Sequence, residues 1–140
     1  MIIKIFKRVL LIIFIPTLLF ANPQYFEEGV NLFKNKKFNE AKFKFEQDIV
    51  FNPKSEMAYL YLSKIFNNFK QQDLEEQNLN TVILLNPKNE EAIYNLAKLK
   101  LSTSDYKKSK ELNDKLIIFC EKFCSKSQKL KKEIENLSKK

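Results

Sequence analysis

The chain has 140 residues, with 25 Lys and Arg against 17 Asp and Glu, a formal net charge of +8, one glycine, two cysteines and no histidine. That composition leaves no material for histidine-based catalysis, a histidine-containing metal site or a glycine-rich phosphate loop, so no enzyme activity, cofactor or metal is expected. The only arginine is Arg8, which removes bidentate arginine readout of phosphate or guanine, and no nucleic-acid partner is expected.

The N-terminus reads as a targeting segment. Lys4, Lys7 and Arg8 precede an apolar run from Val9 to Phe20 that ends in Leu19-Phe20-Ala21. About a dozen apolar residues are too few to span a bilayer comfortably. A basic start, a short apolar run and a small residue together describe a secretory signal peptide over residues 1–21, cut before Asn22. The alternative is an uncleaved segment anchored in the inner membrane. No cysteine follows the run closely, which argues against a lipid anchor. Loss of the segment leaves about 119 residues, one small domain, with net charge near +5. The remaining lysines alternate with glutamates and read as a solvated surface.

A fixed interval then organises the chain. Asn52-Pro53-Lys54 and Asn86-Pro87-Lys88 lie 34 residues apart, and the same step links Gly29, Ser63 and Ala97, then Tyr25, Tyr59 and Ile93, then Ile49, Ile83 and Ile117. Units of this period, at 22–55, 56–89 and 90–121, predict stacked helical hairpins and a binding surface. Leu62, Phe66 and Phe69 share one helix face, which Ile93, Leu96, Ala97 and Lys100 repeat with a weak last member. The small column lets two backbones approach, and each proline ends a unit because it cannot donate to a helical ladder. The segment 122–140 closes the stack. Leu130, Ile134 and Leu137 form one apolar stripe among Lys and Glu, which predicts a capping helix over 126–138.

Cys120 and Cys124 lie at the junction with that cap. In an oxidising compartment such a pair forms a disulfide; free thiols and a redox role are the alternatives. The spacing is not C-x-x-C, and two thiolates without histidine do not complete a zinc site. Adjacent carboxylates such as Glu27 and Glu28, Glu75 and Glu76, or Glu90 and Glu91 do not face one site on a helix.

The repeat resembles the tetratricopeptide repeat family. Tyr25, Gly29, Leu32, Phe38, Ala41, Phe45 and Pro53 carry the likeness in the first unit, Tyr59, Leu62, Ser63, Phe66, Leu79, Val82 and Pro87 in the second, and Leu96, Ala97, Tyr106, Ser109 and Leu116 in the third. Gln72 and Glu75 depart from it, as do Lys100, Asn113 and Glu121. The resemblance implies an all-α, right-handed solenoid of three hairpins plus a cap, whose first helices line a concave groove for a peptide or partner helix. The positions carried over are Phe26, Val30, Phe33 and Lys34, then Leu60, Lys64, Asn67 and Asn68, then Tyr94, Lys98 and Leu101. The family's clamp for chaperone tails is not expected, because Phe26, Val30, Tyr61 and Glu91 occupy most of its slots. The expected function is that of an exported periplasmic scaffold binding another envelope protein or peptide segment. Membrane contact is expected only through the signal segment. A structural subunit of an envelope or motility assembly and an envelope thiol redox protein are the alternatives.

Overall fold

The computed structural model describes residues 24–138, so the expected signal peptide over 1–21 and its cut lie outside the described residues. Seven helices follow in order: α1 (Tyr25–Lys34), α2 (Phe38–Phe51), α3 (Glu56–Asn68), α4 (Gln72–Leu85), α5 (Glu90–Ser102), α6 (Tyr106–Phe119) and α7 (Cys124–Leu137). The described residues contain no strand. None of their helices is long and apolar enough to cross a membrane. Each helix packs on its sequence neighbours, and α5 also touches α7, the one-dimensional order of a solenoid. The expected all-α architecture of three hairpins and a closing helix is what the chain adopts.

The hairpins turn in one way. Lys36, Lys70 and Ser104, again 34 apart, have φ of 60°, 57° and 64°. The amides of these residues donate to Phe33, Asn67 and Leu101, and the amides that follow donate to Leu32, Phe66 and Lys100, at 2.8–3.1 Å. These paired bonds satisfy the last carbonyls of α1, α3 and α5. A left-handed lysine or serine costs roughly 1 kcal/mol that glycine would not.

The turns between units are built differently. Asn52-Pro53-Lys54-Ser55 and Asn86-Pro87-Lys88-Asn89 are each closed by a 3.0 Å bond from the fourth amide to the first carbonyl, with proline where its φ is already suitable. In the third such turn Cys120 stands in the Asn column and Glu121 in the Pro column. The sulfurs of Cys120 and Cys124 lie at bonding distance, 2.12 Å, with Cα atoms 5.2 Å apart. In the second and third of these turns, the glutamate that opens the first helix of the same unit braces the turn. Glu56 accepts from the side-chain amides of Asn86, at 3.0 Å, and Asn89. Glu90, one unit later, accepts from the backbone amides of Glu121, Lys122 and Phe123 at 3.0, 3.0 and 2.8 Å. Desolvation opposes ionisation of Glu90, but the amides of Phe123, Glu121 and Lys122 outweigh it and hold the carboxyl below its ordinary value. With the turn fixed through Phe123, helix α7 starts at Cys124, two residues before the expected 126.

The core runs along the stack. Ala41, Phe45, Ala58, Leu62, Ile65 and Phe66 pack where the first hairpin meets α3. Leu60, Leu79, Val82, Ala92, Leu96 and Leu99 join the second hairpin to α5. Ala97, Leu101, Leu130 and Ile134 seat the cap. The small column lies at buried crossings: Gly29, Ser63 and Ala97 are all buried. An added Cβ at Gly29 would stand 2.8 Å from Phe45 Cε1.

Two departures from the repeat pattern have physical explanations. Asn113 is buried in an apolar slot, where its Nδ2 donates to the Ser127 carbonyl at 3.1 Å and its Oδ1 accepts from the Ser127 hydroxyl at 2.7 Å. It thereby ties α6 to α7 with its polar atoms satisfied. Lys100 reaches Glu76 at 2.6 Å, its stem covering apolar surface while its ammonium stays paired.

Candidate functional site

The first helices of the three hairpins leave an open hollow of about 750 Å³. Phe33 closes one end, Lys64, Asn67 and Asn68 of α3 form one wall, and Asn95, Lys98 and Ser102 of α5 form the other. Glu75 of α4 lines it at the base. The left-handed turn at Lys70 swings α4 back beneath α3, and this carries Glu75 to Asn67.

Glu75 is the most perturbed group of the hollow. It occupies the column filled by Ala41 and Ser109 in the other hairpins, and it is buried there. Burial pushes its carboxyl above the ordinary value, while the Asn67 side chain, donating to both oxygens at 3.0 Å, and the nearby Lys98 charge pull the other way. Lys64 pairs with Glu91 at 2.8 Å and lies over the Tyr61 ring at 5.1 Å from its centroid. Lys98 stands 6.0 Å over the Tyr94 ring. The Asn68 side chain donates to the Lys64 carbonyl, which leaves its carbonyl oxygen free to meet a ligand amide. The hollow therefore offers one aromatic end, amide groups for a peptide backbone and lysines for acidic side chains.

The expected groove residues divide into three groups. Phe33, Lys64, Asn67, Asn68 and Lys98 line the hollow together. Phe26, Val30, Lys34 and Tyr94 lie outside it. Phe26 is half-buried against Phe45 and Tyr61, with ring centroids 5.8 and 5.9 Å apart. Val30 packs on the first core cluster, Lys34 is exposed beyond the end of the hollow, and Tyr94 lies against Phe123 at 5.4 Å. Leu60 and Leu101 need correction: both were expected on the exposed groove face and both are buried, at 2% and 7% exposure. Leu60 is covered by α4 and α5, and Leu101 by the cap through Leu130 and Ile134. Leu101 shares its column with Phe33 and Asn67, which line the hollow, so it is the docking of the cap on this last unit, and not the column, that buries it.

Among the lining residues that sequence reasoning missed are Glu75, Glu91, Asn95 and Ser102. The signal for Glu75 was available, because a charged residue in a column of small ones requires a partner. Nothing marked Asn95 or Ser102.

A second hollow lies at the N-terminal end, lined by Phe26, Glu27, Asp48, Phe51, Glu56 and Met57 among others. Oδ2 of Asp48 is buried there without a hydrogen-bond partner among the described residues. The described residues contain no cluster of three or more His, Cys, Asp or Glu able to hold a metal.

No family model matches the sequence, and no curated protein matches it. Solved structures do. The TPR2B domain of yeast Sti1, in a complex with pHsp70, superposes with a TM-score of 0.74 at 13% identity, over 81% of this chain and 95% of that one. The type III secretion chaperone SycD of Yersinia enterocolitica, in complex with a peptide of the translocator YopD, gives 0.72 at 17% identity over 84% and 93%. The Arabidopsis OM64 TPR domain gives 0.68 at 20% identity over 78% and 93%. Identities at this level speak for the fold alone, and that fold is the tetratricopeptide-repeat solenoid.

Proposed function

We propose that the protein is an exported scaffold that holds an extended or amphipathic segment of another envelope protein in the hollow between α1, α3 and α5. The observation that carries this reading is the convergence of Phe33, Asn67, Asn68, Lys64 and Lys98 on one open surface. Phe33 suits an aliphatic anchor, the asparagine side chains suit a peptide backbone, and the lysines suit acidic side chains. Two neighbours in the same fold are described in complex with pHsp70 and with a YopD peptide, which supports a peptide as ligand class. Export to the periplasm rests on residues 1–21 of the sequence, with the uncleaved inner-membrane anchor as the competing arrangement.

Site-specific photo-crosslinking tests the groove. A photoreactive residue at Asn68 should trap a discrete partner in cells, and one at Gln77, exposed on α4, should not. Lys98→Glu should reduce the Asn68 adduct about tenfold with helicity unchanged, because it reverses a charge facing the ligand. Equal trapping at both positions would defeat the groove reading. Sequencing the mature N-terminus tests export: Asn22 is expected, and an intact Met1 on membrane-bound protein would refute cleavage.

A further inference from the structure

The second hollow, about 870 Å³ at the N-terminal end, is acidic in a basic chain. Glu27, Asp48 and Glu56 line it, and no lysine does. Among the described residues no ion pair engages any of the three. Lysines close by in sequence supply no partner. Lys44 is held by Glu28 and lies over the Tyr25 ring. Lys54 is exposed in the turn between Asn52 and Ser55 and is not among the lining residues.

Local structure explains two of these carboxylates and not the third. Glu27 and Glu56 lie in the first turns of α1 and α3, where the helix dipole favours negative charge. Glu56 also accepts from Asn86 and Asn89, both at Oε1. Asp48 lies in the last turn of α2, where negative charge is disfavoured. It is 8% exposed, and its Oδ2 is buried with no hydrogen-bond partner among the described residues. Val82 and Leu116 occupy the same column in the other hairpins, so the fold does not need a carboxylate there. A buried charge without a partner costs stability, and a cation entering the hollow would offset that cost.

We propose that this hollow takes the side-chain ammonium or guanidinium of a lysine or arginine on a bound peptide, with Asp48 as its counter-ion. Glu27 and Glu56 add negative charge around it. The rest of the lining suits the stem of such a side chain. Phe26, Phe51 and Met57 face the same hollow, and Phe51 and Met57 are 65% and 44% exposed. Aromatic faces attract a cation, and a methylene stem covers apolar surface. A metal ion fits less well, because the described residues hold no group of three or more acidic side chains able to ligate one. The site shares no lining residue with the hollow between α1, α3 and α5, and it does not depend on the groove reading.

Nα-acetyl-lysine methylamide carries that side chain with no other charge, and Nα-acetyl-norleucine methylamide is its uncharged counterpart. In a titration of the full chain followed by amide NMR, the lysine compound should shift the Asp48, Phe51 and Met57 amides saturably. Added salt should weaken its binding, and the Asn68 amide should not move. The norleucine compound should bind at least about tenfold more weakly. Asp48→Asn keeps the side chain's shape and drops its charge. It should weaken binding of the lysine compound about tenfold, with helicity unchanged. Equal binding of the two compounds would overturn the proposal, as would equal binding by the parent and Asp48→Asn. So would the lack of a saturable shift at those amides, or equal movement at Asn68. Equal shifts with calcium chloride would overturn it in favour of a simple ion. Shifts that grow with protein concentration alone would also overturn it and assign the hollow to a second copy of the chain.

Discussion

Gly29→Ala is the substitution for which two simple rules disagree in sign. Helix propensity alone favours alanine by about 1 kcal/mol inside a helix. The structure opposes it. A Cβ at position 29 would stand 2.8, 2.9 and 3.0 Å from Cε1, Cδ1 and Cζ of Phe45, several tenths of an ångström inside ordinary contact. Phe45 is fully buried, stacks on Tyr61 at 4.9 Å and abuts Phe26 at 5.8 Å, so its ring cannot retreat without moving two others. Overpacking of this kind costs about 1–3 kcal/mol, and the expected net result is a loss of about 1 kcal/mol. Urea unfolding followed by circular dichroism, with an unchanged slope, would measure it. The second unit suggests the rescue: there Ser63 occupies the glycine column and Leu79 the phenylalanine column. Gly29→Ala combined with Phe45→Leu should therefore lose less than the sum of the single variants, by at least about 1 kcal/mol of coupling. A Gly29→Ala protein more stable than its parent would refute the tight α1–α2 crossing.

Asp48→Val should raise stability by about 1–2 kcal/mol in the same assay, because it removes a buried, unpartnered oxygen from a column that holds Val82 and Leu116 in the other hairpins; a loss would mean that Asp48 has a partner. Glu75 binds its proton more tightly in the folded protein than in the unfolded chain, since burial raises its pKa above 4.5. The penalty of its ionised form is then full above the folded-state pKa and fades as pH falls toward and below 4.5. Glu75→Gln should therefore be more stable than its parent at pH 7, with the advantage shrinking on acidification; an advantage independent of pH would show that Glu75 is not desolvated. Non-reducing peptide mapping should recover Cys120 and Cys124 in one crosslinked fragment. The doubly Ser-substituted protein should still fold, because Leu130, Ile134 and the Asn113–Ser127 pair dock α7; two freely alkylated thiols, or loss of helicity in the variant, would contradict this.

Much of the fold could be read from the 34-residue interval, because a solenoid writes each contact into the sequence once per unit. Gly29, Ser63 and Ala97 marked close crossings, and Pro53 and Pro87 marked where helices stop. Two kinds of feature escaped. Burial by a later helix, as at Leu60 and Leu101, depends on which helix packs over the position, and the column does not encode that. Asn113 in an apolar slot and Glu75 in a small one read as decay of the pattern, yet each is answered by a side chain on the adjoining helix: Ser127 for one and Asn67 for the other. The groove was legible in its middle, at Lys64, Asn67, Asn68 and Lys98, and less so at its ends, where Phe26 and Tyr94 are drawn onto neighbouring rings.

The bracing of the second and third inter-unit turns by a glutamate one unit upstream gives the stack a direction. Glu56 grips the turn after α4, and Glu90 grips the turn after α6, so the shape of these two linkers is dictated from their N-terminal side. A break at Glu56 would loosen what lies downstream and leave the first hairpin undisturbed, like a fault in a row of dominoes that can fall only one way. The final linker, which has no proline, is held by Glu90 through three of its own amides, and the sulfurs of Cys120 and Cys124 lie at bonding distance across its end. The start of the cap is thereby tied to the start of α5, and the amides of Glu121, Lys122 and Phe123 should exchange hydrogen only when α5 releases Glu90.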